Sequence, residues 1–502
     1  MDNLILGFDV ALSLHNLAYC FIGVLLGTFI GVLPGVGALA AVSMLLPITF
    51  HLDPTAGLIM LGGVYYGSEY GGSTSSILLN LPGTASNAVT CLDGYPMAKN
   101  GRAGVALFMT TVASFVGGCI GIVILIVLTP TVVSFALAFG PAEFVSAMIL
   151  GLIAAATIGQ GSPLKGLAMV ALGMLLALIG VDENSGAVRY DFGSLYLYEG
   201  LHLVVVAMGL FGVSEVISSI LTDRDKNASA WVSFRSMMPT RKEIKVSIMP
   251  MLRGTAVGSI FGPLPGTGPT VASFLSYALE KRVARDPSRF GKGAIEGICS
   301  PEASNNAAVQ TAFIPTLALG IPGSATMAIM LGALMIHGIT PGPRLITEHS
   351  DLFWGVVASF WIGNLFLMLL NIPLIGVWVS LLRIPYSLLY PAILTLICIG
   401  VYSIRYSAFD IVMVAALGVL GYLMRLARFE PAPLLIGFIL GPMIEQNFRR
   451  AMLIFGGDFM PFIQRPISGL LLGVAVLLIL MISYSNLRSV IRSVTAQTRR
   501  AR

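Results

Sequence analysis

At 502 residues the chain has room for two or three soluble domains, yet only 11% of its residues are charged and 56% are hydrophobic. A soluble domain carries about 25% charged residues, so the composition excludes a water-exposed globular protein and requires a non-aqueous solvent around most of the chain. The formal charge of +5 does not point to nucleic acid, because the basic residues cluster in short loops and at the C-terminus, as the positive-inside rule expects of a polytopic membrane protein.

The N-terminus carries Asp2 and Asp9 but no Lys or Arg. It therefore lacks the basic region of a cleaved signal peptide and is expected to be retained. Apolar segments near 14–50, 56–90, 105–128, 142–158, 164–181 and 201–221 form a first membrane repeat over 1–221. The 27 prolines and 56 glycines are tolerated because neighbouring helices satisfy the backbone groups they free. A basic cytoplasmic linker follows at 222–253, with Arg224, Lys226, Arg235, Arg241, Lys242 and Lys245. A second repeat occupies 254–450. The remainder, 451–502, is an extra transmembrane helix (the apolar run 467–484) and a basic cytoplasmic tail with Arg488, Arg492, Arg499, Arg500 and Arg502.

The repeat is carried by a glycine string. Gly23, Gly27, Gly31, Pro34, Gly35 and Gly37 recur at identical spacing as Gly254, Gly258, Gly262, Pro265, Gly266 and Gly268. The Gly-x3-Gly part suits close helix packing. A Pro-Gly-x-Gly end suits a break in the backbone at membrane depth, which survives only where it is buried in protein or lines a watery cavity. Charge contrasts between equivalent loops indicate that the repeats are inverted. His51 and Asp53 face Lys281, Arg282, Arg285, Arg289 and Lys292. Lys99 and Arg102 face Arg344, Glu348 and Asp351, and Asp182, Glu183, Arg189, Asp191 and Glu199 face Arg425, Arg428 and Glu430. Lys165 against Arg405 does not fit the pattern. Each break is then the tip of a re-entrant hairpin, with a single broken helix as the alternative. The expected fold is an all-α polytopic membrane protein of about 11 to 13 helices or half-helices, in two inverted-topology repeats with re-entrant or broken helices plus one extra C-terminal helix.

The candidate binding residues fall into two groups. At the tips, Pro34, Gly35 and Gly37, with Pro265, Gly266, Thr267 and Gly268, expose bare amides and helix N-termini that suit an anion. In the polar stretches, Ser73, Thr74, Ser75, Ser76, Asn80, Gly83 and Thr84 of the first half match Ser304, Asn305, Asn306, Gln310, Gly323 and Ser324 of the second. Hydroxyls and amides are costly in lipid and line a pathway or act as interhelical glue. Glu69, Thr84, Ser86, Asn87, Glu302, Asn305 and Thr326 are the candidates for a coupling ion, Na+ or H+, since hydroxyl and carboxylate oxygens suit Na+ and a buried carboxylate can carry a proton. No buried Lys or Arg accompanies them. The five cysteines and five histidines show no metal spacing, and no cofactor or structural metal is expected. An intramembrane hydrolase using Ser73, Ser75 or Ser76 is the competing class, but no Gly-x-Ser-x-Gly occurs. An anion channel is the other rival.

Gly-x3-Gly-x2-Pro-Gly-x-Gly in both halves, the run from Gly67 to Ser86 (GSEYGGSTSSILLNLPGTAS) and Pro301-Glu-Ala-Ser-Asn-Asn-Ala together resemble the large membrane subunit of tripartite tricarboxylate transporters. The resemblance spans nearly the whole chain. It implies a bacterial inner-membrane location, a small membrane partner subunit and a periplasmic substrate-binding protein. It further implies secondary transport of citrate or related organic carboxylates, driven by a Na+ or proton gradient.

Overall fold

A computed structural model describes residues 2–156, 162–182, 184–220, 234–382, 384 and 386–481. The basic tail, linker residues 222–233 with Arg224 and Lys226, the side chain of Arg235, and Glu183 lie outside the described residues. The chain is an all-helical polytopic membrane protein. Among the described residues, six helices are long and apolar enough to cross a membrane and five more are apolar but shorter. The one strand pair described, Gly180–Val181 with Val188–Arg189, is antiparallel.

In chain order the helices are α1 (Asp2–Ala11), α2 (Leu14–Val32), α3 (Gly37–Thr49), α4 (Pro54–Leu79), α5 (Thr90–Lys99), α6 (Ala103–Ala136), α7 (Pro141–Ala156) and α8 (Pro163–Ala177). Next come α9 (Leu203–Ala207), α10 (Ser214–Ile220), α11 (Arg241–Phe261), α12 (Gly268–Val283), α13 (Glu296–Thr311), α14 (Phe313–Leu319) and α15 (Ala325–Ile336). The last are α16 (Pro343–Glu348), α17 (Ser350–Asn371), α18 (Ile375–Leu381), α19 (Tyr386–Arg405), α20 (Ala408–Leu426), α21 (Pro431–Ile454), α22 (Met460–Gln464) and α23 (Pro466–Met481). α1 has no counterpart in the predicted segments. It docks on α17 because Gly7 lets the backbone approach Trp354 closely. The last part of the predicted linker is helical, since a Thr240–Glu243 capping box starts α11 at Arg241.

The chain forms two compact units, 1–136 with 202–423, and 137–201 with 424–502. These do not coincide with the sequence repeats, since each takes a block from either side of the linker. The closing helices are exchanged: α8 packs on α21 through Gly173 against Leu434 and Gly437 against Val170, whereas α20 packs on the 203–220 segment through Gly418 against Val213 and Gly421 against Leu210.

In the first unit, α4 and α13 sit at the centre. Every residue from Ala56 to Ile77 and all of α13 is buried, which two helices so rich in hydroxyls and amides require. The glycine strings bring the neighbouring helices this close. A Cβ on Gly23, Gly27 or Gly31 would overlap the carbonyls of Met60, Val64 and Ser68, and one on Gly254, Gly258 or Gly262 those of Ser300, Ser304 and Ala308. α4 answers with glycines of its own, Gly63, Gly67 and Gly71. The equivalent positions of α13 are Ala303, Ala307 and Thr311.

The arms of each glycine string return to the same end. His15 at the start of α2 meets Asp53 beyond α3 at 3.0 Å, and Arg253 of α11 pairs with Glu280 of α12 at 2.6 Å. This is the geometry of a hairpin, not of one interrupted helix. The two halves also run in opposite directions. The early part of α4 lies beside the end of the second half's polar stretch, with Gly57 near His337 and Tyr65 reaching Ser324. The early part of α13 lies beside α5, with Gly94 near Ile298 and Asp93 accepting from the backbone of Gly291, Gly293 and Ala294 at 2.8–2.9 Å.

In the second unit, Asp182 and Glu445 bind Arg189 and Arg449 in a four-member ion network, with contacts of 2.6–3.1 Å. It ties the small strand pair to α21. Hydrogen bonds from Ser185 and the Asn184 backbone, together with Arg189, hold the Asp182 carboxyl well below the usual carboxylate range. The extra C-terminal helix α23 joins α7 through Ser468 with Ser146 (2.7 Å) and an Arg465–Glu143 pair just before it.

Candidate functional site

Both halves build the same local device. α2 and α11 stop, the chain turns through Gly35 (φ 87°) in one half and Gly266 (φ 85°) in the other, and the next helix opens on Gly37 (φ 74°) or Gly268 (φ 57°). A β-carbon would strain each of these positions. A second break stands behind each tip. α4 ends on left-handed Asn80 and α14 on left-handed Gly320, each followed by a Pro-Gly. The two breaks are pinned together: the Gly35 N–H donates to the Pro82 carbonyl (3.2 Å) and the Gly266 N–H to that of Gly323 (3.1 Å). Gly83 is required by its close approach to Gly31 and Gly72.

α3 and α12 begin with no side-chain cap on their first amides. Thr267 turns its hydroxyl back to the Phe261 and Leu264 carbonyls instead. Residues 35–37 and 265–267 are half-buried. Each tip thus presents free N–H groups and the positive end of a helix dipole, a combination that binds carboxylate oxygens.

Behind the first tip lies a buried oxygen cluster. Glu69 Oε2 meets Thr84 Oγ1 at 3.0 Å, Ser86 Oγ in a short contact, and Asn305 Nδ2 from the other half at 2.9 Å. Thr84 Oγ1 also lies 2.7 Å from Ser86 Oγ and 2.6 Å from Asn87 Oδ1. Two hydroxyl protons and the Asn305 amide N–H serve these four oxygens, so acceptors still outnumber donors. Asn305 Oδ1 has no partner among the described residues either, although the residue is buried. Glu302 is built differently. It accepts from Asn87 Nδ2 (3.0 Å), Thr90 Oγ1 (2.5 Å) and Ser114 Oγ (3.3 Å), so every neighbour is a donor.

Asn87 is the bridge, with its amide nitrogen on Glu302 and its oxygen on Thr84. The two carboxylates are not symmetry mates. Counted from the carbonyls that face the glycine strings, Glu69 corresponds to Val309 and Glu302 to Gly62. The polar stretches therefore interlock across the halves instead of mirroring one another.

The other predicted residues occupy varied places. The hydroxyls of Ser73, Ser75 and Ser76 bond carbonyls of their own helix, Tyr70 or Gly72, at 2.8–3.2 Å, and Thr74 is buried beside them. Asn306 bonds the Glu302 carbonyl at 3.1 Å. Ser304 Oγ and Gln310 Oε1 are buried without partners among the described residues. Ser324 caps α15 by accepting from the Met327 N–H (3.3 Å), and Thr326 is buried one residue into that helix. Pro34 is buried at its tip, Pro265 is half-buried, and Asn80 is exposed. Sequence reasoning missed Thr90, Ser114 and Tyr65. Thr90 closes the first polar stretch and carries its own signal. Ser114 follows Thr110 and Thr111 in a largely apolar run, and nothing there sets it apart from them.

A family model, the tripartite tricarboxylate transporter TctA family, matches residues 17–436. The chain is 46% identical over 489 residues, 97% of either chain, to an Agrobacterium vitis protein described as "Uncharacterized 52.8 kDa protein in TAR-I ttuC' 3'region". It is also 50% identical over 232 residues, 46% of this chain and 96% of the relative, to an "Uncharacterized protein in TAR-II ttuC' 3'region" of the same organism. No solved structure matches it.

Proposed function

The chain belongs to the tripartite tricarboxylate transporter TctA family, and from that premise we propose that it is the membrane-embedded transport subunit of a binding-protein-dependent secondary transporter. It imports a tricarboxylate or related organic carboxylate across the bacterial inner membrane, coupled to Na+ and working by alternating access. Its partners are a small membrane subunit and a periplasmic substrate-binding protein, and its C-terminus is cytoplasmic. The substrate anion binds at the uncapped starts of α3 and α12, and Na+ binds at Glu69, Thr84, Ser86, Asn87 and Asn305.

The observation that carries this reading is the excess of buried acceptors around Glu69. A buried carboxylate needs a compensating charge, and no Lys or Arg is among its hydrogen-bond partners. Carboxylate, hydroxyl and amide oxygens are the ligands a hard cation takes. Held there, Na+ neutralises Glu69 and adds positive charge behind the first tip, so each ligand favours the other. Because Asn305 comes from the opposite half, cation binding also bears on how the halves meet, which is the linkage alternating access needs. The hydrolase alternative is disfavoured by the serines, whose hydroxyls are spent on carbonyls of their own helix.

The test is uptake of labelled citrate and other carboxylates into proteoliposomes holding the chain with both partners. Uptake is expected under an inward Na+ gradient without ATP, ending when the gradient is dissipated. Asn305→Ala and Gly266→Leu are expected to lower it about tenfold or more, the size of a lost charge-assisted hydrogen bond. Wild-type uptake by both variants, or passive flux without a gradient, would remove the proposal. Uptake driven by a proton gradient alone, with no need for Na+, would assign Glu69 to H+ instead.

A further inference from the structure

Three loops that the sequence assigns to the cytoplasmic side converge on one cleft. Arg102 follows α5, Lys242 opens α11, and Arg289 and Lys292 lie between α12 and α13, around a cavity of about 500 Å³. Two acids share the lining, and each is already used: Glu243 pairs with Arg102 and Glu296 with Arg289. Among the described residues neither Lys242 nor Lys292 makes an ion pair, although Asp286 lies close enough to Lys292 to act on it electrostatically, so the positive charge of the cleft is only partly offset. Its floor is the backbone of Gly293 to Ile295, fixed in place by Asp93.

The cleft continues onto an apolar face. Val246, one turn after Lys242, lines it and is 39% exposed, and Met249 (60%) and Leu252 (43%) carry the exposed stripe along α11 away from the charges. A soluble anion would satisfy the lysines but not the stripe, and a neutral lipid tail the stripe but not the lysines. An occupant that satisfies both has an anionic headgroup joined to acyl chains.

We propose that this cleft binds an anionic phospholipid of the cytoplasmic leaflet, its phosphate between Lys242 and Lys292 and its chains along Val246, Met249 and Leu252. The headgroup bridges the start of α11, an arm of the second hairpin, to the loop that leads into α13, so the bound lipid braces the elements that carry Glu302 and Asn305. Juxtamembrane lysines attract acidic headgroups with about one factor of five in affinity each.

The purified full chain in detergent, titrated with phosphatidylglycerol and with phosphatidylcholine and followed by native mass spectrometry and thermal melting, tests this. Phosphatidylglycerol is expected to be retained and to raise the melting temperature, while phosphatidylcholine does neither. In Lys242→Gln/Lys292→Gln, whose changes are at exposed lysines and leave the fold intact, retention should fall about 30-fold with the lipid-free melting temperature unchanged. Equal retention of the two lipids, undiminished retention by the variant, or the same protection from inorganic phosphate or citrate alone would overturn the proposal. None of these outcomes bears on the transport reading.

Discussion

Replacing Gly27 by Ala tests the packing on which the site rests. The added methyl would stand 2.7 Å from Val64 Cα and 2.8 Å from its carbonyl carbon, against 3.4–4 Å for an ordinary contact. It meets backbone, which cannot turn aside as a side chain can. Nor can α4 roll away freely, because α2 is equally close at Gly67, where a Cβ would stand 2.5 Å from Thr28 N. Overpacking costs about 1–3 kcal/mol, and contact with unyielding backbone puts this case in the upper part of that range, about 2–3 kcal/mol; the better helix propensity of alanine returns about 1 kcal/mol, so the net loss is about 1–2 kcal/mol. Gly376→Ala serves as control, since nothing lies within 4 Å of the added atom and only the propensity gain of up to about 1 kcal/mol applies. Thermal melting of the purified proteins in one detergent should rank Gly27→Ala below wild type and Gly376→Ala at or above it. A Gly27→Ala protein as stable as wild type would refute the argument that backbone contact between α2 and α4 requires glycine.

Asn87→Leu removes the one side chain that touches both carboxylate clusters, leaving a Glu302 oxygen and the Thr84 hydroxyl each short of a partner. A loss of about 2–5 kcal/mol in stability and of Na+ dependence in uptake is expected, and preserved Na+ dependence would separate Asn87 from the ion site. In the second unit the Asp182 carboxyl is held low in the folded chain, so its contribution is present above its unfolded value near pH 4 and is lost as pH falls further. Limited proteolysis between 180 and 200 should therefore accelerate below about pH 4 in wild type. In Arg189→Gln cleavage should be faster at neutral pH and should accelerate less on acidification, and an unchanged pH response would mean that Arg189 does not help to hold the Asp182 carboxyl low.

Much of the fold was legible because membrane constraints act on composition and spacing. The repeated Pro-Gly-x-Gly showed where the backbone breaks, and loop charge showed which ends lie together. Arg102, Lys242 and Lys292 do meet at one cleft, and His15 and Asp53 meet at the opposite end of the first hairpin. Hairpin against broken helix could not be decided from the string itself, since direction after a glycine turn depends on contacts such as Arg253 with Glu280. The exchange of α8 and α20 was hidden for a similar reason: a repeat shared in sequence does not say which copy's helix each surface will meet. At the site, composition pointed to Glu69, Thr84, Ser86, Asn87 and Asn305 without revealing that they form one cluster. It did not show that the hydroxyls of Ser73, Ser75 and Ser76 bond carbonyls of their own helix, as a buried hydroxyl in a helix can three or four residues back. Ser114, one of three hydroxyl residues within 110–114, becomes distinct only once Glu302 lies beside it.

The central claim is that the oxygens around Glu69 hold a cation, and the most direct measurement is the melting temperature of the purified chain against NaCl, with KCl and choline chloride at equal ionic strength. Stabilisation by Na+ should saturate as a single site would, exceed that by K+ or choline, and disappear in Thr84→Val when read as the difference between NaCl and choline chloride, since loss of the hydroxyl lowers the variant's melting temperature in every salt. Equal responses to all three salts, or a Na+ response in Thr84→Val as large as in wild type, would contradict it.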